Sequence, residues 1–250
     1  MLTVGVDLAS QPARTAACQV RWVNDRAEVE ELKVGVDDDR ILELARLGDK
    51  LGIDVPLGWP DAFVTSVTAH HAGRAWPGSS QRSLCFRETD RLVHRETRRP
   101  PLSVSSDRIA IPAMRAAAVL SVLAASGMLV DRAGRRVVVE VYPAAALRRW
   151  GLPASGYKGR DRQDQRRGLI QQLLARAVCL RPSAVVMAQC EADDNALDAL
   201  IAALVARAAA CGLCEPVPAE ALPLAEKEGW IALPAEGSLS RLAKGRPVTR

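Results

Sequence analysis

The chain opens with a stretch that is apolar almost throughout and ends on an acid, Leu2 to Asp7. A strand apolar on both faces belongs inside a sheet covered on both sides, which points to helices packed against parallel strands. Thr15 to Val23 then alternates, with Cys18, Val20 and Trp22 on one face and Gln19 and Arg21 on the other, the pattern of a half-exposed strand. Asn24-Asp25 makes a turn and Ala27 to Val34 returns as a third strand, so the chain begins as an antiparallel meander.

Helices and further strands follow. Asp37 to Asp39 offers N-caps, and Ile41, Leu42, Leu44, Ala45 and Leu47 recur at helical spacing. Leu51 to Val55 reads as a short strand holding Asp54, stopped by Pro56-Leu57-Gly58-Trp59-Pro60. Residues 61–111 resist assignment and read as a long functional insertion, partly helical between Leu84 and Glu96. Ala113 to Ser126 is a helix closed by Gly127, Arg136 to Tyr142 a strand ended by Pro143, and Ala144 to Trp150 a short helix. After a glycine-rich loop at 151–160, Arg162 to Val178 is amphipathic and Asp194 to Ala210 is the last long helix. Glu228 to Pro234 is expected as a final edge strand, and the tail from Arg241 is expected to fray. Three strands, helix, strand, helix, strand, helices is the connectivity of the ribonuclease H-like α/β fold. It predicts a mixed five-stranded sheet of order 3-2-1-4-5, strands 1, 4 and 5 parallel, with right-handed crossovers placing helices on both faces. We expect one domain over residues 1–250, with 61–111 inserted in it.

Composition agrees with that class. Apolar residues make up 48% of the 250, enough for a sizeable core, and aromatics only 4%, so the core is aliphatic. Charge is concentrated: Arg74 to Arg115 holds nine arginines against Glu88, Asp90, Glu96 and Asp107, a local excess equal to the net +5 of the whole chain. Such a segment can attract phosphates or simply be a solvated loop. The N-terminus lacks a charged region before a long apolar run, and no stretch reaches a membrane span, so a cytoplasmic location is expected. Of six cysteines only Cys211 and Cys214 form a C-x-x-C pair, and one pair does not make a zinc site. No nucleophile elbow, H-E-x-x-H frame or dinucleotide fingerprint is present.

The acids carry the chemistry. Asp7 ends the first strand and Asp54 lies near the end of the fourth; in the expected order these are parallel neighbours about 4.8 Å apart, so both carboxylates reach the same sheet edge. Glu140 lies near the end of the fifth strand and can approach that edge, or else pair with an arginine of the insertion. On the last helix Asp198 shares a stripe with Ile201 and Val205, which turns it inward, and Asp194, one turn earlier, is either a fourth acid of the group or the helix N-cap. Two unit charges 4 Å apart repel by roughly 4 kcal/mol at an effective dielectric of 20, so such a cluster must hold a proton, meet a cation or bind metal. Mg²⁺ or Mn²⁺ suits oxygen ligands best. Two such ions about 3.5–4 Å apart support in-line hydrolysis of a phosphodiester. Asp7, Asp54, Asp194 and Asp198 are the candidate metal ligands, and Asp7, Asp54, Glu140 and Asp198 the candidate catalytic acids. Arg87, Arg91 and Lys158 are candidates to hold the phosphates of DNA or RNA.

Six motifs occur in order: Val4-Gly5-Val6-Asp7-Leu8-Ala9, Gly52-Ile53-Asp54-Val55-Pro56-Leu57, Phe86-Arg87-Glu88-Thr89-Asp90-Arg91, Glu140-Val141-Tyr142-Pro143, Asp198-Ala199-Leu200 and Glu228-Gly229-Trp230-Ile231. The series resembles the domain-of-unknown-function family 429, a family of predicted nucleases of the ribonuclease H-like fold. The resemblance implies a nuclease with Asp7, Asp54, Glu140 and Asp198 as site residues, and with Arg87, Asp90 and Arg91 as the charged motif of the insertion. The wider class, junction resolvases included, often carries two acids three residues apart on its last helix. Here that position is Asn195, and the acid stands at Asp194.

A metal-dependent nuclease is therefore the leading expectation. An ATP-dependent phosphotransferase of the related actin-like class would use Asp7-Leu8-Ala9-Ser10 as a phosphate turn, but Ala9 to Ala13 lacks glycine. A catalytically inactive scaffold of the same fold is the third alternative.

Overall fold

The computed structural model describes residues 1–247. In chain order its strands and α-helices are β1 Leu2–Asp7, β2 Ala16–Val23, β3 Arg26–Val34, α1 Asp38–Leu47, β4 Lys50–Asp54, α2 Asp61–His71, α3 Gln81–Cys85, α4 Glu88–Thr97, α5 Ala110–Ala125, β5 Val138–Glu140, α6 Pro143–Arg149, α7 Gln163–Arg176, β6 Leu180–Arg181, α8 Ala184–Ala192, α9 Asp194–Ala210 and α10 Leu222–Glu228. The architecture is α/β around one mixed sheet of order β5-β4-β1-β2-β3-β6. β1 and β2 are antiparallel, as are β2 and β3, while β4 runs parallel to β1 and β5 parallel to β4.

The first five strands stand in the expected sequence, but a sixth joins the far edge. β6 pairs in parallel with the start of β3, Ala27 against Leu180. Two residues bracketed by helices carry no readable alternation, so this strand leaves no trace in a periodicity search. The expected edge strand over Glu228–Pro234 does not form. Glu228 ends α10, and beyond it Ile231 makes a single bridge to Glu140 and Pro234 one to Cys214. The insertion is helical where expected, at α4, and carries two further helices, α2 and α3, before it. The tail is not frayed at Arg241. Leu242 is buried, and the Arg207 guanidinium, stacked 4.8 Å from the Trp22 ring centroid, donates to the carbonyls of Leu242 and Gly245. Residues 248–250 of that segment lie outside the described residues.

Two apolar layers cover the sheet. On one face Val4, Val6, Leu51 and Ile53 pack with Ile41 and Leu44 of α1 and Ala116, Leu120 and Leu123 of α5. On the other, Cys18 and Val20 pack with α9 and with Leu169 and Leu173 of α7. β2 is consequently buried on both faces from Ala16 to Val20, and is half-exposed only over its last three residues.

The layer built on α9 governs the functional end of the molecule. Gly5 and Gly52 are paired across β1 and β4. A Cβ at Gly5 would lie 2.1 Å from the Ala199 carbonyl oxygen and 2.2 Å from the Ala203 nitrogen; at Gly52 it would lie 2.7 Å from the Ala202 oxygen. The helix therefore rests backbone to backbone on a two-glycine saddle, and its contact side is alanine. Every residue from Ala196 to Ala208 is buried, Asp198 included, as expected of a helix with no solvent face. Asp193 caps it by accepting from the N–H groups of Asn195 and Ala196, so the N-cap is Asp193 and not Asp194. Gly5→Ala should push α9 off the sheet and destabilise the fold by about 3 kcal/mol. Urea unfolding measures this, and a loss below about 1 kcal/mol would contradict the close packing.

Candidate metal centre

Asp7 and Asp54 are register partners at the ends of parallel strands β1 and β4. Asp198 comes down onto them from the first turns of α9. One carboxylate oxygen from each of the three lies within 4.8 Å of the others. This trio was expected from the sequence and is brought together. Among the described residues no other group of three or more His, Cys, Asp or Glu side chains is so placed.

The remaining candidates divide. Asp194 lies outside the trio, and its Oδ2 accepts from the Gly159 N–H at 3.0 Å. It holds the loop at 151–160 against α9. Glu140 is taken up elsewhere. It is buried at the end of β5 and receives both Arg87 terminal nitrogens, at 2.7 and 2.8 Å, and the Leu57 N–H at 3.0 Å. Of the two roles open to Glu140, the ion pair is the one formed. Arg87 in turn is only 2% exposed, and it also binds Asp90 through two nitrogens and the Glu228 carbonyl oxygen. All its donors face protein, so Arg87 is not a free cation for substrate. Arg91 pairs with Glu88 and donates to the Phe86 carbonyl oxygen. Both arginines of the insertion motif thus serve first to fix α4.

Lys158 is the cation that reaches the acids. Its side chain is 56% exposed, yet its ammonium lies 2.6 Å from Asp198 Oδ2. That contact is an ion pair without hydrogen-bond alignment; the buried Oδ2 accepts no aligned donor. Tyr157, not anticipated from sequence, donates its hydroxyl to Asp198 Oδ1 at 2.8 Å and is itself buried. Arg166 of α7, also buried, donates to the carbonyls of Tyr157, Gly159, Glu191 and Ala192. It ties the lysine loop to α8 and the approach to α9. A tyrosine and an arginine beside ordinary loop residues give no local signal of such roles.

Electrostatics follow from burial. Asp7 and Asp54 keep partial contact with a cavity, but protein surrounds them. Burial drives the Asp7 carboxyl well above its ordinary range, and the Asp54 and Asp198 charges push it further. Burial raises Asp54 to about 7, with Lys158 opposing and Asp198 and Glu140 adding. Asp198 is also raised by burial, against the pull of Lys158 and the Tyr157 hydroxyl. Three carboxylates facing one ammonium leave two negative charges when all are ionised. Protons or a divalent cation must supply the difference.

The turn after Asp7 is fixed separately. Arg115 donates to the Ala9 carbonyl and Thr15 Oγ1, and pairs with Asp38. The backbone there closes as one helical turn over Pro12–Arg14.

With this arrangement in view, comparison with known families is decisive on one point. The family described as Protein of unknown function (DUF429) matches residues 5–222. The chain belongs to this family. The match runs from β1 to the start of α10 and so contains all three acids, Lys158 and the Arg87–Glu140 pair. No curated protein and no solved structure matches the chain.

Two measurements test these assignments. Arg87→Met strands Glu140 and Asp90 as buried acids and should cost about 3–5 kcal/mol of stability, read by urea unfolding. In metal-free buffer, Asp54 gives a pH dependence of known sign. Unfolded, it ionises near 3.8; folded, it keeps its proton until about 7. Its contribution is therefore full below 3.8 and lost as pH rises through 7. Thermal melts in EDTA should fall across that window, and Asp54→Asn should flatten the fall.

Proposed function

We propose that this protein is a metal-dependent phosphodiester hydrolase of the ribonuclease H-like class, acting on DNA or RNA. The observation that carries the reading is the convergence of Asp7, Asp54 and Asp198, from two strands and a helix, on one spot. Oxygen-only donors with a two-charge deficit fit Mg²⁺ or Mn²⁺, and these three residues would hold the ion. A bound divalent cation supplies positive charge to a phosphoryl oxygen and makes water easier to deprotonate.

The chain's own groups do the rest. The glycine saddle fixes how far Asp198 stands from Asp7 and Asp54. Tyr157 orients Asp198 by holding Oδ1, while Oδ2 meets the Lys158 ammonium. Lys158, on an exposed loop, supplies a cation for a substrate phosphate. Arg87 and Glu140 position α4 at the edge of the site and touch neither metal nor substrate in this reading.

An inactive scaffold is the second reading. It is favoured by Lys158 itself, since one ammonium and two protons neutralise the cluster without metal. The phosphotransferase reading has less support, because Arg115 already occupies the turn that would carry the phosphates.

Isothermal titration with Mn²⁺ separates the first two. The hydrolase reading expects binding by wild type and its loss in Asp7→Asn. It also expects Mn²⁺-dependent cleavage of single- or double-stranded DNA or RNA by wild type, abolished by the same substitution. Equal cleavage by both proteins would place the activity elsewhere. Lys158→Ala should bind Mn²⁺ more tightly, by roughly tenfold, having lost the competing ammonium, and yet cleave more slowly. The scaffold reading expects no Mn²⁺ binding by either protein.

A further inference from the structure

The acid trio does not stand on an open face. Asp7, Asp54 and Lys158 line part of a cavity of about 270 Å³. Much of the remaining wall is apolar: Leu8 after β1, Val93 of α4, Leu102 and Ile109 between α4 and α5, and Tyr142 and Ile231. Three of these six residues come from the insertion, which therefore shapes the recess.

The wall chemistry limits what enters. A surface that reads duplex backbone needs accessible cations along the phosphates. Here Arg87 is spent on Glu140 and Asp90, leaving Lys158 and the exposed Arg108 among the arginines and lysines lining the cavity. Two cations beside an apolar recess match one phosphate group attached to one flat apolar body. The volume lies just below the range of about 300–1,000 Å³ usual for small-ligand pockets. A duplex, whose major groove alone is about 12 Å wide, does not enter such a space, whereas a single base does. Bases acted on by enzymes are commonly taken out of the stack and held between apolar or aromatic side chains.

Building on the hydrolase reading above, we propose that the cavity is a subsite for one unpaired nucleotide. The base lies between Leu102, Ile109 and Tyr142, and its phosphate lies toward Lys158, Arg108 and the acids. The substrate class is then single-stranded nucleic acid or an unpaired nucleotide within a strand, not intact duplex.

Fluorescence anisotropy tests this with a labelled single-stranded oligonucleotide and a blunt duplex of the same sequence. Ca²⁺ replaces Mn²⁺ to slow cleavage. Wild type should bind the single strand at least about tenfold more tightly than the duplex. Leu102→Trp fills the recess from an exposed position. It should weaken single-strand binding by about tenfold while leaving Mn²⁺ affinity unchanged. Arg108→Ala, also at the surface, should weaken it without altering the melting temperature. Equal binding of single strand and duplex, no binding of either, or no effect of Leu102→Trp on a folded protein would each overturn the subsite. Absence of Mn²⁺ binding in wild type would instead sink the metal reading. The preference for an unpaired strand would then still be decided by the anisotropy measurement.

Discussion

Helix α9 approaches the sheet at backbone distance because Gly5 and Gly52 present no side chains to it. Everything at the site depends on that contact. Packed layers are ordinarily held apart by side chains, as stacked sheets are by about 10 Å. Over the glycines those side chains are missing, and an aspartate from the helix can meet aspartates at the ends of the strands. The same contact explains the composition of α9. Alanine is the residue that both favours the helix and fits against bare backbone, and Ala199, Ala202, Ala203 and Ala206 are the helix residues that meet the saddle.

Close packing of this kind concentrates negative charge, and the fold manages it by dividing its acids. Glu140, on the strand next to β4, is neutralised by Arg87, which Asp90 and the Glu228 carbonyl hold from the other side. The carboxylate of Glu228 in turn accepts from the first N–H groups of α2 and α4, so one buried acid pins two helices of the insertion. Among the described residues, Asp7, Asp54 and Asp198 receive only Lys158 and the Tyr157 hydroxyl. The unequal division separates a structural ion-pair network from a group with charge to spare. It also sets the insertion beside that group, with Val93 and Leu102 forming part of the wall around it.

Much of this was legible along the chain. The meander, the parallel β4 and β5, the span of α9 and the meeting of Asp7 with Asp54 follow from apolar runs that end on acids. The inward turn of Asp198 follows from its spacing to Ile201 and Val205. What escaped notice lacked periodicity or depended on distant partners. β6 is too short to alternate. The insertion's first two helices, α2 and α3, are separated by a stretch rich in Gly and Pro, which blurs the pattern. Glu228 looks like a strand start until the N–H groups it accepts from, at Asp61 and Glu88, are seen beside it.

The sequence by itself determined which segments could be buried and where carboxylates interrupt them, because periodicity and strand-end placement are local properties. It left Glu140 suspended between catalysis and pairing, Asp194 between ligand and cap, and Arg87 between substrate and structure. Only the tertiary structure decided these, since a charged side chain takes its role from whichever opposite charge or N–H lies within about 3 Å of it, and those partners here stand as much as 83 residues away along the chain.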